Sequence, residues 1–255
     1  MIFIPELELL PIRAVMHRTS DADKPFVFPV KRLENDTVCL VPFDVASQAS
    51  IFVEGTKHHP KLFEYTTYGP FQSVEEFEDD FYWPRVGEKE ETVLWSIFKK
   101  QLADQDEKGS LLAFAGVLSL NNSSRVNGVA EIGHVIILPA FHRTHVTSNA
   151  VGLLLCYTLD PPPGGLGLRR SVWQAHADNQ ASRRVASRMG YTLEGIQRFQ
   201  RVMPEGKQGN AIDVVGFPSV IEDLGPSRDT AIFAHYCDEW PGKRDTILQV
   251  MNGKS

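Results

Sequence analysis

Cysteine is scarce in this chain of 255 residues, which has only Cys39, Cys156 and Cys237. An odd number of widely spaced cysteines fits neither a disulfide framework nor the paired spacing of a zinc site. This usage is typical of a reducing compartment, and we expect a cytoplasmic location.

Long apolar runs are missing as well. The two longest, residues 111–120 and 150–159, are about half as long as the segment that a bilayer span needs. The apolar start of the chain has no basic region, and Glu6 and Glu8 interrupt it, so it does not predict a secretory signal. We expect no transmembrane segment and no membrane partner.

Positive charge is in the minority: 26 lysines and arginines face 32 aspartates and glutamates, which gives a net charge of −6. Nucleic-acid-binding domains usually carry a basic face, so we expect no nucleic-acid partner. Acids concentrate in residues 64–91 and arginines in residues 166–201. Both stretches are typical of solvated helix faces; the alternative is that they face ligands of opposite charge.

What the sequence does contain is an ordinary globular composition, with 42% hydrophobic and 23% charged residues. This composition supports a full hydrophobic core, and the length favours one large domain. Residues 1–34 hold four prolines and no sustained period, which predicts an N-terminal arm. We place the domain at residues 35–250 and a short tail at residues 251–255.

The first half of the domain is predicted to hold one strand, two helices and three further strands. Residues 37–43 form the first strand, and Asp44 can cap a helix that runs toward Lys57. Ser73 stands three residues before Glu76, the spacing of a capping box that opens the second helix. An antiparallel meander is predicted for the runs at residues 93–99, 111–120 and 129–138.

The second half begins with a helix over residues 146–159, predicted from the helical spacing of its apolar residues. A strand over residues 171–177 follows, and then a helix capped by Asp178 or Asn179. Two further strands complete the prediction, at residues 195–202 and 230–236.

A short polar loop joins the strand that ends at Leu138 to the helix over residues 146–159. The first turn of a helix presents unpaired N–H groups and the positive end of the helix dipole, so this loop is a candidate anion site. Arg143 adds a positive charge there. These features are general, because every strand-to-helix turn has such amides, and a second motif is needed to make them specific.

That second motif lies in residues 173–195. The pattern N-x-x-S-x-x-V starts at Asn179 and is followed by G-Y-x-x-E-G, which starts at Gly190. It closely resembles the pattern of the GCN5-related N-acetyltransferases (GNAT), and within them the branch that includes the bacterial ribosomal-protein N-terminal acetyltransferases. The segments L-V-P-F at residues 40–43 and G-P-F at residues 69–71 agree. The resemblance extends over most of the predicted domain.

The resemblance implies an α+β fold with three αβα layers and a mixed, mostly antiparallel central sheet that is splayed at the acetyl-CoA site. Acetyl-CoA is the implied co-substrate, and no metal is implied. The pantetheine would lie along the strand that ends at Leu138, and the pyrophosphate would lie at the start of the next helix. The positions matched to cofactor binding are Ile136, Ile137, Leu138, His142, Arg143, Thr144, His145, Val146, Thr147, Ser148, Asn179 and Ser182.

The phosphate loop departs from the family pattern, which is Gln or Arg, two residues, Gly, one residue, and Gly or Ala. The matching positions here are His142, His145 and Thr147. Glycine lets the backbone approach the phosphates closely, so His145 requires a left-handed turn or a rearranged loop. Either the two histidines add donors for the phosphates or the loop has lost tight CoA binding. Arg143 and the nearby hydroxyl groups favour the first alternative.

Acetyl transfer to an amine requires a neutral amine, a stabilised oxyanion and a proton for the leaving thiolate. A backbone N–H near Ile136 would polarise the thioester carbonyl in the implied site. Ser182 matches the serine that lies near the CoA sulfur in related enzymes and would deliver the proton. The alternative is that Ser182 is an ordinary serine in the first turn of a helix.

Glu131 and His134 are the candidate bases. Strict alternation along the strand puts them on opposite faces, so only one should face the acceptor unless a bulge intervenes. The alternatives are that Glu131 is a solvated edge carboxylate or a salt-bridge partner and that His134 is a packed, hydrogen-bonded residue. An α-amino group, with a pKa of about 8, is partly neutral without a base, and the acidic residues 64–91 would then attract a cationic amine.

We therefore expect an acetyl-CoA-dependent N-acetyltransferase that acts on a primary amine by direct attack in a ternary complex. The acceptor is a protein N-terminal amine or a small-molecule amine, and the protein is a monomer or a homodimer. The alternative is a non-catalytic GNAT-fold module that binds acyl-CoA or a protein. A metal site at His134, His142 and His145 is not predicted, because no carboxylate stands at ligand spacing.

Overall fold

The computed structural model describes residues 9–11, 26–100, 111–210 and 225–253. Within these ranges the β-branched and aromatic runs form one sheet. Its strands are β1 (Leu9–Pro11), β2 (Leu33–Glu34), β3 (Val38–Pro42), β4 (Val93–Lys100), β5 (Leu111–Ser124), β6 (Val129–Ile137), β7 (Arg170–His176), β8 (Thr192–Val202) and β9 (Ser227–Tyr236).

Helices cover the sheet. They are α1 (Val45–Thr56), α2 (Val74–Phe77), α3 (Val146–Leu159), α4 (Gln180–Arg188) and α5 (Trp240–Met251). The end of α2 continues as a π-helical segment, Glu78–Gly87, which contains Pro84. In the described ranges no helix has both the length and the apolar composition that crossing a membrane requires.

The spatial order of the strands is β2-β3-β4-β5-β6-β7-β9-β8, and β1 pairs with β5. Neighbouring strands are antiparallel except for β6 and β7, which are parallel. The sheet is therefore mixed and mostly antiparallel, as expected. The predicted meander is confirmed as β4, β5 and β6.

Helices lie on both faces of the sheet. Trp95 and Ser96 are adjacent in β4, so their side chains point to opposite faces. The Ser96 hydroxyl donates a hydrogen bond to the side chain of Gln48 in α1. On the other face, the Trp95 indole donates to the backbone carbonyl of Lys31. The ammonium group of Lys31 in turn lies over the ring of Tyr157 in α3. Because α1 and α3 cover opposite faces, the chain has the three-layer α+β architecture that the resemblance implies.

Apolar spacing and capping residues in the sequence predicted where most of the helices begin. The helix predicted over residues 146–159 has those bounds, and Ser73 caps α2 by accepting a hydrogen bond from the Glu76 amide. Asn179 caps α4. The sequence analysis does not predict α5, because its buried residues are few and charged residues separate them; they are Trp240, Ile247 and Met251.

The predicted arm and tail lie partly outside the described residues, which omit 1–8, 12–25 and 254–255. The last two residues of the arm, Leu33 and Glu34, form β2 and pair with β3. The domain boundaries at residues 34 and 250 stay a prediction.

The parallel pairing of β6 with β7 is short. It ends where Glu131 lies opposite Val172, and the two strands separate beyond this pair. β7 pairs instead with β9 along its whole length. A gap therefore opens in the middle of the sheet, between the second half of β6 and the second half of β7.

β6 also contains a bulge just beyond that point. Gly133 pairs with Ser119 of β5, but the next pair joins Ile136 to Val117, so β6 has one residue more than β5 between the two pairs. His134 lies in this bulge with a φ of +47°. The bulge turns the chain of β6 at the edge of the gap.

Gly116 of β5 permits a very close approach of the two strands next to the bulge. Its φ is +141°, and a Cβ at this position would lie 2.1 Å from the carbonyl oxygen of Ile136. No side chain fits at that distance, and L-residues rarely adopt such a φ. The bulged geometry of β6 therefore requires glycine at position 116.

Gly116→Ala should lower the free energy of unfolding by ~3 kcal/mol or more, because alanine meets both an unfavourable φ and the Ile136 carbonyl. Gly242→Ala is the matched control, since no atom lies within 4 Å of a Cβ there. In the helix α5, that change should stabilise by up to ~1 kcal/mol. Urea unfolding measures both. A Gly116→Ala protein as stable as the wild type would contradict the close approach.

Candidate active site

Two clefts open where β6 and β7 separate. The larger cleft has a volume of about 920 Å³, which is in the upper part of the ~300–1,000 Å³ typical of ligand pockets. The smaller cleft has a volume of about 160 Å³. The two clefts meet, because they share the wall residues Leu62, Val135, Ile136, Trp173, Asn179 and Ser182.

The larger cleft is positively charged. Its wall includes Arg143 from the loop before α3, Arg184 and Arg188 from α4, and no described carboxylate. Thr147 and Ser148 add the first turn of α3, at the positive end of the helix dipole. This combination suits a ligand with several negative charges, such as the phosphates of CoA.

The loop before α3 has an ordinary backbone at the position of the family glycine. His145 has a φ of −78° and a ψ of 0°, whereas Arg143 has a φ of +59°. The His145 ring lies against the end of α5, since a Cβ on Gly253 would be 2.9 Å from its Cε1. The histidine is therefore accommodated by a rearranged loop, in which the left-handed residue is Arg143.

His142 and Thr144 form hydrogen bonds within the same loop. His142 Nε2 donates to the Ile137 carbonyl at 2.8 Å. The Thr144 hydroxyl donates to the Phe141 carbonyl at 2.6 Å and accepts from the Val146 amide at 3.3 Å. His142 therefore uses Nε2 to hold the end of β6 rather than offering that atom to a phosphate.

Most positions matched to cofactor binding line the larger cleft: Ile136, Ile137, His142, Arg143, Thr144, His145, Thr147, Ser148, Asn179 and Ser182. Leu138 and Val146 do not line it, because their side chains are buried in the core. Arg184 and Arg188, whose i, i+4 spacing puts them on one face of α4, also line it. They belong to the arginine-rich residues 166–201, for which a ligand of opposite charge was one of the two alternatives, but they were not matched individually to the cofactor.

Asn179 and Ser182 form the start of α4 at the point where the clefts meet. The Asn179 side chain accepts a hydrogen bond from the Ser182 amide at 2.9 Å, so it is the helix cap. The Ser182 hydroxyl oxygen accepts from the Trp173 indole at 3.0 Å. That bond orients the oxygen and leaves the hydroxyl proton available for donation.

The bulge in β6 brings both candidate bases to the smaller cleft. In a regular strand Glu131 and His134 would point to opposite faces, but both line this cleft. The left-handed φ of His134 in the bulge is the cause. The exception allowed for an intervening bulge therefore applies to this strand, and both side chains line one cleft.

Glu131 is buried, with 6% of its surface exposed. Its Oε2 accepts hydrogen bonds from the side-chain amides of Asn122 at 2.8 Å and Gln174 at 2.9 Å. Burial raises the pKa of Glu131, and hydrogen bonds and the positive charges of Arg201 and Arg228 oppose that shift. The alternative of a solvated edge carboxylate is wrong. A buried carboxylate with a raised pKa is suited to accept a proton near neutral pH.

His134 is packed and hydrogen-bonded, which was the alternative to its acting as a base. Its Nδ1 lies 2.9 Å from the Ser119 hydroxyl oxygen, and its ring packs edge-on against Tyr68 and Phe81. Burial lowers the pKa of His134 from 6.5 to about 3. A group with so low a pKa is a poor proton acceptor at neutral pH, so Glu131 is the better candidate base.

The acidic residues 64–91 do not reach either cleft. None of their nine acids lines a wall, and all are exposed except the half-buried Glu78. Arg85 from the same stretch does line the smaller cleft. The acids of this stretch are thus solvated, and the charge that the stretch brings to the cleft is positive rather than negative.

Two basic residues, which lie more than a hundred positions later in the chain, hold the loop around residues 63–68 that lines the smaller cleft. Lys207 Nζ donates to the carbonyls of Phe63 and Thr66 at 2.9 Å each, and Arg228 donates to the Tyr65 carbonyl at 3.4 Å. Burial lowers the pKa of Lys207 to about 8. The sequence analysis missed both, because contacts between segments this far apart leave no local pattern.

A known protein family matches most of this fold. A family model described as "Acetyltransferase (GNAT) domain" matches residues 38–192, more than half of the chain. This chain belongs to the GNAT acetyltransferase family. No curated protein sequence gives a significant match.

Solved structures with the GNAT fold agree. A GCN5-related N-acetyltransferase from Brucella melitensis is 24% identical with a TM-score of 0.67, and the match covers 88% of this chain and 86% of that one. A probable acetyltransferase of the GNAT family from Chromobacterium violaceum is 24% identical with a TM-score of 0.66, over 84% of this chain and 90% of that one. At these identities the likeness shows the fold alone.

A further solved structure belongs to an enzyme whose acceptor is named. It is an acetyl transferase from Salmonella typhimurium that modifies the N-terminal serine of the 50S ribosomal subunit protein L7/L12. It is 20% identical with a TM-score of 0.57, and the match covers 81% of this chain and 99% of that one. Within the described residues of our GNAT protein, no group of three or more His, Cys, Asp or Glu side chains is placed to hold a metal ion.

The low pKa of His134 makes the fold sensitive to acid. The unfolded chain binds a proton at this histidine near pH 6.5, and the folded chain does so only near pH 3, so stability is lost as the pH falls between these values. In this window His134→Asn should reduce the pH slope of the unfolding free energy by about 1.4 kcal/mol per pH unit. Asparagine tolerates the positive φ.

Urea unfolding at several pH values between about 7 and about 5 measures these slopes. His58→Asn, at an exposed position outside both clefts, is the matched control. Equal slopes in the wild type and His134→Asn would show that the buried ring accepts a proton more readily than its surroundings imply.

Proposed function

We propose that this GNAT protein transfers an acetyl group from acetyl-CoA to a primary amine, by direct attack in a ternary complex. One observation carries the proposal: a cationic cleft without a described carboxylate and a smaller cleft with a buried carboxylate meet at the gap between β6 and β7. An anionic donor and an amine acceptor can therefore approach each other from two sides.

The larger cleft would hold acetyl-CoA, which supplies the reactive thioester. Arg143, Arg184 and Arg188 are the cations available to its phosphates, and the start of α3 adds backbone amides. The pantetheine would lie along Ile136 and Ile137, which line the same cleft. These residues fit the group, because its phosphates are negatively charged and the wall carries three positive charges.

The smaller cleft would hold the amine next to Glu131. The amine nitrogen forms the new C–N bond as the C–S bond breaks, and its proton passes to Glu131, whose raised pKa suits this step. Ser182 would protonate the leaving thiolate, since its oxygen is oriented by Trp173, and would recover a proton from solvent. Ser182 lies where the two clefts meet, and Glu131 lines the smaller cleft.

A protein N-terminal amine is one acceptor class, as for the structurally similar Salmonella enzyme that modifies an N-terminal serine. A small-molecule amine is the other. An α-amino group has a pKa of ~8, far lower than that of a lysine side chain, so it is more easily deprotonated by a carboxylate. The proposed setting is a reducing cytoplasm, in which the protein acts as a monomer or a homodimer.

Arg143→Gly tests the donor site. The change removes a positive charge from the larger cleft and relieves the left-handed φ of +59°, so stability should be kept while the Kd for acetyl-CoA rises about tenfold. Isothermal titration measures the Kd. Arg198→Gly removes the same charge from β8 outside both clefts and should leave the Kd unchanged. Absence of wild-type binding up to millimolar acetyl-CoA would exclude the proposal.

Glu131→Gln tests the base. Glutamine can accept the same bonds from Asn122 and Gln174, so the fold and acetyl-CoA binding should persist while kcat falls by about 10²–10⁴. In the wild type, activity should rise with pH as Glu131 ionises, and this limb should be missing from the variant. Acetyl-CoA binding with no turnover in the wild type would instead support a non-catalytic acyl-CoA-binding module.

A further inference from the structure

The smaller cleft carries more positive charge than a cationic acceptor alone would favour. Its charged wall residues are Arg85, Arg201 and Arg228 against Glu131, so the fixed charge is 3 − 1 = +2. In the part of the chain that the structure describes, none of these three arginines forms a salt bridge. Uncompensated positive charge around a cleft points to an anionic group in the ligand.

Two of these arginines are direct cross-strand partners. Arg201 of β8 lies opposite Arg228 of β9 in the antiparallel register, so the two side chains share one face of the sheet. Like charges in this position destabilise a sheet. Arg228 is only 9% exposed, and burial together with Arg201 lowers its pKa to about 10. An anion bound between them would remove this repulsion.

Neutral hydrogen bonds hold two of the arginines in place. Arg228 Nε donates to the Thr230 hydroxyl at 3.1 Å, and Arg85 donates to the Thr67 carbonyl at 3.3 Å. Arg85 also lies over the ring of Tyr68, 5.6 Å from its centroid. These contacts fix the guanidinium groups without neutralising them, so their charge is kept for a ligand.

We propose that the acceptor is a small primary amine that also carries a carboxylate or phosphate group, bound by Arg201 and Arg228 while its amine faces Glu131. This inference rests on the proposed function, and it goes further by naming the acceptor class. The volume of about 160 Å³ suits a molecule of amino-acid size. The surrounding positive charge also disfavours the protonated form of the amine, which assists its attack.

The test compares paired probes that differ only in the anionic group. β-Alanine is paired with β-alaninamide, and phosphoethanolamine with ethanolamine, so the two arms separate carboxylate from phosphate. Binding is measured by isothermal titration with the larger cleft saturated by CoA, which keeps the probes out of it. We expect the anionic member of at least one pair to bind at least about tenfold more tightly than its neutral partner.

Arg201→Gln should abolish this preference, and Arg201→Lys should retain most of it. Arg201 is exposed, so these variants should fold even if Arg228→Gln does not. Arg198→Gln, on the same strand but outside the cleft, is the matched control. In turnover assays the loss should lie in KM for the anionic acceptor, with little change in kcat.

Equal binding of charged and neutral probes, or no effect of Arg201→Gln, would overturn the inference. A peptide that has a free N-terminal amine and no acidic group, and that binds as tightly as the anionic probes, would overturn it too. Either result leaves the proposed function intact if amines are still acetylated in a Glu131-dependent reaction. Loss of that reaction, with anion binding retained, would refute the proposed function instead.

Discussion

The separation of strand β6 from strand β7 is the constraint on which the rest of the site depends. Pairing ends at Glu131 and Val172, and the chain of β6 then bulges against β5, where only glycine at position 116 leaves room for the Ile136 carbonyl. A continuous sheet would have closed the gap and separated the two clefts. A backbone irregularity, rather than any single side chain, therefore creates the place where the two clefts meet.

The charged residues around the gap differ between the two clefts. The described wall of the larger cleft carries three arginines and no carboxylate, whereas the smaller cleft sets a single buried carboxylate among arginines. The carboxylate keeps a raised pKa because burial outweighs the nearby positive charges. His134, in the same wall, is held neutral by burial and serves as packing against the aromatic residues beside it.

The sequence predicted what is encoded locally. Helical periodicity and caps located α3 and α4, and the motif that starts at Asn179 indicated the family. The resemblance implied a splayed sheet, but no local signal placed the bulge at His134. Lys207 and Arg228 were missed for a different reason: they hold the loop beside the smaller cleft through contacts with residues more than a hundred positions earlier.

The contact between His145 and Gly253 ties the last turn of α5 to the loop before α3. Both residues are part of the wall of the larger cleft, although they are far apart in the chain. A tag or partner fused directly after this turn would therefore emerge beside the larger cleft. A substitution near the end of α5 would change the wall of that cleft without altering the loop. For engineering purposes, the end of the described fold is part of that wall.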